Sequence, residues 1–135
     1  MLYSIFKNND TGVDYTQEDI VYMVTHVRKV VEAGLPYVFS DRNALLKYAK
    51  FSRRLEDLFN LVDMPLMEQV YWQDTETDKQ RKERRMAEFL VQGCLPLQQF
   101  TGIAVHNEDK KAAIEKLLPH QGNSFVQVKK MWYFE

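Results

Sequence analysis

The stretch KQRKERRMAEFLVQG, Lys79 to Gly93, opens with five positive charges in seven residues: Lys79, Arg81, Lys82, Arg84 and Arg85. It then turns apolar over Met86 to Val91, with Glu88 in the middle. A run of this kind predicts a strand over Met86–Val91. Side chains alternate between the faces of a strand, so Glu88 would share a face with Met86 and Leu90, and Ala87, Phe89 and Val91 would point the other way. Both faces are then apolar, and the strand reads as covered on both sides. A carboxylate in that setting loses hydration, which costs several kcal/mol unless a partner compensates. Two readings follow: Glu88 closes a strand edge or pairs with a buried arginine, or it faces a cleft and acts on a sugar hydroxyl or a developing cation. The basic run likewise reads as a solvated loop face or as a footprint for a polyanion.

The flanking sequence supplies the frame. Ile20–His26 and Pro36–Ser40 read as strands, separated by a short helix over Val27–Ala33 that Gly34 closes. Asp41 predicts a helix cap, with helical spacing of Leu45, Leu46, Ala49, Leu55, Leu58 and Phe59 across Arg42–Leu61. Met64 onward allows another helical turn or two, and Trp72–Asp78 reads as a polar loop. Gly102–His106 predicts a fourth strand. Asn107 caps a helix over Glu108–Leu118, with Ala112, Ala113, Leu117 and Leu118 on its buried side. Phe125–Phe134 predicts the last strand, after a turn over Pro119–Asn123. The opening MLYSIFKNNDTG reads as a short element ending in a turn. Strands interleaved with short helices give a mixed α/β or α+β domain.

With 135 residues, 45% of them hydrophobic, the chain fits one domain with a core, spanning residues 1–135. A net charge of −1 commits it to no polyanion by total charge alone. Cys94 is alone, which excludes an intramolecular disulfide and a thiolate zinc site and fits a cytoplasmic setting; it reads as a buried apolar thiol. No signal peptide or membrane-length apolar stretch is visible. The five glycines form no phosphate loop, and His26, His106 and His120 show no metal spacing, so no metal is expected.

Taken in order, VFSDRNALLKYAKF (Val38–Phe51), YWQDTETDKQRKERRMAEFLV (Tyr71–Val91), the Leu95-Pro96 pair, GIAVHN (Gly102–Asn107) and VKKMWYF (Val128–Phe134) resemble the C-terminal two-thirds of DarT-type toxins, which are DNA ADP-ribosyltransferases. The resemblance implies an α+β fold with a mixed split β-sheet and flanking helices. It implies a glycosyl-type transferase that uses NAD as co-substrate and ADP-ribosylates thymidine in single-stranded DNA, as the toxin of a toxin–antitoxin pair whose macrodomain antitoxin would be a partner. Glu88 matches the family's catalytic glutamate. Residues Phe39 to Arg85 would face DNA: Arg42, Lys47, Arg53, Arg54, Lys79, Arg81, Lys82, Arg84 and Arg85 would neutralise phosphates, and Tyr48, Tyr71 or Trp72 would stack on a base.

The front departs from the family. Met1-Leu2-Tyr3 looks like the end of the family's Ser-Pro-Met-Leu-Tyr-like run. The nicotinamide-holding histidine and the catalytic arginine, hence the cofactor-binding residues, would precede Met1. A chain truncated in this way would be weak or inactive alone, and an exposed sheet edge would favour self-association. The competing expectation is a non-catalytic module that binds single-stranded nucleic acid or a partner protein.

Overall fold

The computed structural model describes residues 16–118, 121–122 and 124–133. The expected opening element over residues 1–12, together with His120 and most of the Pro119–Asn123 turn, lies outside them. The chain divides into two compact units. One takes the chain up to His26 with Pro96 onward, and the other takes Val27–Leu95.

The first unit is built on a sheet ordered β1-β5-β6, with β1 at Tyr22–Val24, β5 at Gly102–Val105 and β6 at Val126–Val128. β1 runs antiparallel to β5, with Tyr22 opposite Ala104. β6 runs parallel to β5, with Ile103 opposite Val126. A parallel neighbour needs a crossover connection, and the helix Glu108–Leu117 supplies it. Its cap forms as the sequence predicts: the Asn107 side chain accepts the Lys110 N–H at 2.9 Å. Its buried side differs from the expectation. Ile114 and Leu118 pack on Ile103, Val105 and Val126, whereas Ala112 and Ala113 are exposed and Leu117 is 75% exposed. Positions i and i+4 stack on one face, and Leu117 falls beyond its edge. The predicted last strand is shorter than expected. After Val128 the chain enters a 3-10 turn at Lys130–Trp132. This turns Tyr133 back so that its hydroxyl donates to the Ile20 carbonyl at 2.8 Å and the Ala104 carbonyl at 3.2 Å.

Asp19 ties the start of this unit to that helix. Its carboxylate accepts from Lys110 Nζ at 2.6 Å and from the Thr16 N–H at 2.9 Å. The Lys110 hydrogen bond first, and the Thr16 bonds next, lower its pKa from 3.8 to about 2. Because the folded-state value lies below the unfolded one, the contribution is complete above about pH 4 and is lost as pH falls towards about 2. Asp19→Asn should therefore flatten the dependence of the urea midpoint on pH in that window. Equal slopes for variant and parent would show that the pair carries no acid-sensitive stability. The pair is at the surface, so added salt should shrink the difference.

The second unit holds a sheet ordered β3-β2-β4, with β2 at Tyr37–Ser40, β3 at Phe51–Ser52 and β4 at Phe89–Val91. Both pairings are antiparallel. Helix α1, Val27–Glu32, precedes β2. The chain leaves it through Gly34, whose φ of +66° suits a residue without a Cβ. Val30, Phe39 and Leu66 are fully buried here, and the Phe89 ring stacks on Tyr37 at 4.9 Å and Phe39 at 6.2 Å.

Four expectations fail in this unit. The single helix over Arg42–Leu61 is replaced by a turn-rich loop over residues 42–50, then β3, a 3-10 turn at Leu55–Asp57 and helix α2 at Leu58–Leu61. The leucines do not form a buried stripe: Leu45 is almost fully exposed. Pairing Phe51–Ser52 beside β2 satisfies backbone groups that a helix would leave open on that strand. Asp41 caps no helix; its carboxylate accepts the Lys50 N–H instead. The strand over Met86–Val91 is trimmed to Phe89–Val91. The basic run forms helix α4, Arg81–Arg85, whose last turn absorbs Met86 and Ala87 through bonds to Glu83 and Arg84 carbonyls. Helix α3 lies at Met64–Met67. Cys94 is exposed, against the expectation of a buried thiol, because it follows the turn at Gly93 rather than a strand.

Candidate functional site

Glu88 sits one residue before β4, where helix α4 hands over to the sheet. Its backbone pairs with the end of β2: the Ser40 N–H donates to the Glu88 carbonyl at 2.9 Å, and the Glu88 N–H donates to Ser40 Oγ at 3.2 Å. Its side chain reaches the loop after β2, where Oε2 accepts the Ala44 N–H at 2.8 Å. Among the described residues no cation pairs with this carboxylate, so the reading in which it neutralises a buried arginine does not hold for them. A cavity of about 160 Å³, lined by Phe39, Leu58, Val62, Met64 and Ala87, includes Glu88 in its wall.

The sheet is not covered on both sides. Val38, Leu90 and Phe51 share one face by alternation. Leu90 is 40% exposed and Phe51 is 50% exposed. An open trough of about 590 Å³ runs along β2 and β4 and is lined by Val38, Leu90, Val91 and Arg53. Leu90 lies on this exposed face, whereas Glu88 precedes the strand and lines the cavity with Phe39, and Met86 belongs to the helical turn.

The predicted basic residues divide by their partners. The Arg42 guanidinium pairs with Asp41 at 3.1 Å and Glu83 at 3.4 Å and lies 5.2 Å from the centre of the Tyr48 ring. Tyr48 Oη donates to Glu83 at 2.7 Å, which pushes its pKa up. Arg84 bridges Asp63 at 3.1 Å and Asp78 at 2.6 Å. The Asp78 bond, chiefly, raises the guanidinium pKa, and Arg84 in turn lowers that of Asp78. Arg81 donates to the Tyr71 carbonyl at 2.8 Å and the Gln73 carbonyl at 3.2 Å, bracing the loop. Arg54 is exposed and pairs with Glu56 at 2.8 Å. Arg85 reaches the Met67 sulfur at 3.3 Å, and its Nε is buried without a partner among the described residues. Lys47, Arg53, Lys79 and Lys82 carry no side-chain ion pair among those residues. Tyr71 is 84% exposed, whereas Trp72 is half-buried. Sequence reasoning missed Ser40, Ala44 and Glu83. The cluster of Ser, Asp and Asn at residues 40–43 is the signal that could have marked a hydrogen-bonded loop there.

Two small sheets with flanking helices match the mixed split sheet that the resemblance implies. A family model described as "ssDNA thymidine ADP-ribosyltransferase, DarT" matches residues 1–134. The chain belongs to the DarT family. It is 34% identical over 137 residues to a DNA ADP-ribosyl transferase of Thermus sp. (strain 2.9), covering 99% of this chain and 63% of that protein. A DNA ADP-ribosyl transferase of Mycobacterium tuberculosis is 31% identical over 122 residues, covering 90% and 53%. The solved structure of Thermus sp. 2.9 DarT in complex with NAD+ superposes with a TM-score of 0.81 at 33% identity, over 98% of this chain and 66% of that one. The same DarT in complex with ADP-ribosylated ssDNA gives 0.79, over 98% and 63%. The chain thus spans less than two-thirds of the length of these DarT relatives. Its mixed helix-and-sheet architecture is the DarT fold.

Among the described residues no group of His, Cys, Asp and Glu side chains could hold a metal ion. No described helix is long and apolar enough to cross a membrane.

Proposed function

We propose that this chain supplies the acceptor side and the catalytic carboxylate of an NAD-dependent ADP-ribosyltransferase that acts on thymidine in single-stranded DNA. The observation that carries this reading is Glu88: a carboxylate without a cationic partner among the described residues, held by one backbone amide at the margin of a cavity. In such a transfer the bond between the ribose C1′ and nicotinamide breaks, and nicotinamide leaves with the electron pair. A base nitrogen then forms the new bond to C1′ and gives up its proton. The ribose passes through a cationic state, which a nearby carboxylate stabilises. Glu88 would hold the 2′-hydroxyl and face that charge, and it can help remove the proton from the attacking base. The relatives determined with NAD+ and with ADP-ribosylated ssDNA support the choice of donor and acceptor. A macrodomain antitoxin as partner belongs to the same proposal and rests on the family alone.

The test is to give the protein that carries this chain NAD and a single-stranded oligonucleotide with one thymidine, beside the same oligonucleotide lacking it. Nicotinamide release and a covalent ADP-ribosyl adduct should require the thymidine. Release that ignores it, or an adduct on protein alone, would defeat the proposal.

The DNA-binding assignments carry their own prediction. Lys47, Arg53, Lys79 and Lys82 have charges free of ion pairs among the described residues, so they should hold phosphates. Neutralising Lys79 and Lys82 should lower the slope of log affinity against log salt by about one for each phosphate no longer held. Arg84→Gln should act mainly on the stability of the loop it braces. A salt slope unchanged by neutralising all four free cations would remove those residues from the DNA-binding surface.

A further inference from the structure

The Glu88 carboxylate takes its direction from a loop. Its donor, the Ala44 N–H, belongs to residues 42–50, which contain turns but no helix or strand. Such a loop aims a single N–H only if its ends and its body are fixed, since an unfixed segment keeps its conformational entropy. Asp41 fixes both ends. Its backbone N–H donates to the Lys50 carbonyl at 3.1 Å, and its Oδ1 accepts the Lys50 N–H at 2.9 Å. The other oxygen, Oδ2, accepts from Arg42 Nε at 3.1 Å. Arg42 continues to Glu83 on helix α4, the element that leads into Glu88. Asp41 is 7% exposed, and a buried carboxylate is costly to lose or leave unpaired. Its neighbour Ser40 donates to the Arg42 carbonyl at 2.6 Å while accepting the Glu88 N–H. The dipeptide Ser40-Asp41 therefore holds the backbone of Glu88 with one residue and the donor of its carboxylate with the next.

We propose that Asp41 is a positioning residue for Glu88, setting the orientation of its carboxylate through the Lys50-closed loop and the Ala44 amide. It acts through that loop, and the proposal rests on Glu88 being the catalytic carboxylate. A residue that merely stabilised the fold would lower the melting temperature and leave the Ala44 amide and the kcat of folded molecules alone.

The experiment measures Ala44 amide exchange by NMR in the 135-residue chain, and kcat and KM in the protein that carries it. In Asp41→Ala the Ala44 amide should exchange about tenfold faster, as the loss of one hydrogen bond worth roughly a factor of ten implies. The kcat should fall about tenfold or more, with KM for NAD and DNA within about twofold, because misplacement of a catalytic group acts on the reacting geometry. Asp41→Asn keeps an acceptor for Lys50 and loses the ion pair with Arg42, so it should lie between parent and alanine in both readouts. If Asp41→Ala does not fold, Asp41→Asn decides alone: parental exchange or parental kcat overturns the proposal. Exchange that accelerates with kcat unchanged overturns it as well. Absence of turnover in the parent overturns the catalytic reading of Glu88 instead, and the Ala44 amide still decides whether Asp41 holds that carboxylate.

Discussion

Glu88→Gln should reduce nicotinamide release and DNA modification on the order of 10³-fold, the scale seen when a group that stabilises transition-state charge is removed. The substitution is chosen for what it keeps. A glutamine side-chain oxygen can still accept the Ala44 N–H that now bonds Oε2 at 2.8 Å, and the backbone bonds to Ser40 do not involve the side chain exchanged. The fold and the loop should therefore survive, and the lost quantity is the negative charge. With that charge gone, the ribose cation has no carboxylate opposite it, and KM should change far less than kcat. Thermal denaturation of the variant should match the parent. A Glu88→Gln protein that retains activity within about tenfold of the parent would place the catalytic carboxylate elsewhere.

Phe39→Ala should destabilise the second unit by about 3–5 kcal/mol, the range for deleting a fully buried aromatic side chain. Phe39 lies at the centre of β2, with no exposed surface, between β3 and β4. It stacks on Phe89 and lines the cavity at Glu88. Its removal would enlarge that cavity, and a cavity that cannot collapse adds to the lost transfer free energy. The neighbouring residue, Ser40, carries the backbone bonds to Glu88, so activity should fall along with stability. Urea denaturation measures the first effect and nicotinamide release the second. Phe59→Ala is the control: that ring is largely exposed and its loss should change stability by less than about 1 kcal/mol. A Phe39→Ala protein as stable as its parent would mean that β2 is not the core strand of this unit.

Read as a string, these residues carried their local structure where a few neighbours settle it. The β-branched and aromatic runs became β1, β2 and β5 at nearly their expected places. Asn107 capped its helix through the Lys110 amide three residues on, and Gly34 ended helix α1 with a positive φ. Glu88 stood out as a candidate for a similar reason: a charge inside an apolar run of sequence is anomalous at the level of the chain. So was family membership, since the order and spacing of several segments survive in the sequence.

Partners distant along the chain decided the rest. Residues 42–50 have helical spacing, yet Asp41 closes them onto Lys50 and Phe51 pairs with Ser40. The basic run has the composition of a phosphate footprint, yet Arg84 is bound to Asp63 and Asp78, and Arg81 to the carbonyls of Tyr71 and Gln73. The donor to Glu88 comes from Ala44, a residue without side-chain chemistry and 44 positions away. Periodicity and capping are short-range properties, encoded within a turn of helix or a strand. Ion pairs and backbone donors are long-range ones, and a sequence does not say which of several carboxylates a guanidinium meets until the chain has folded around both.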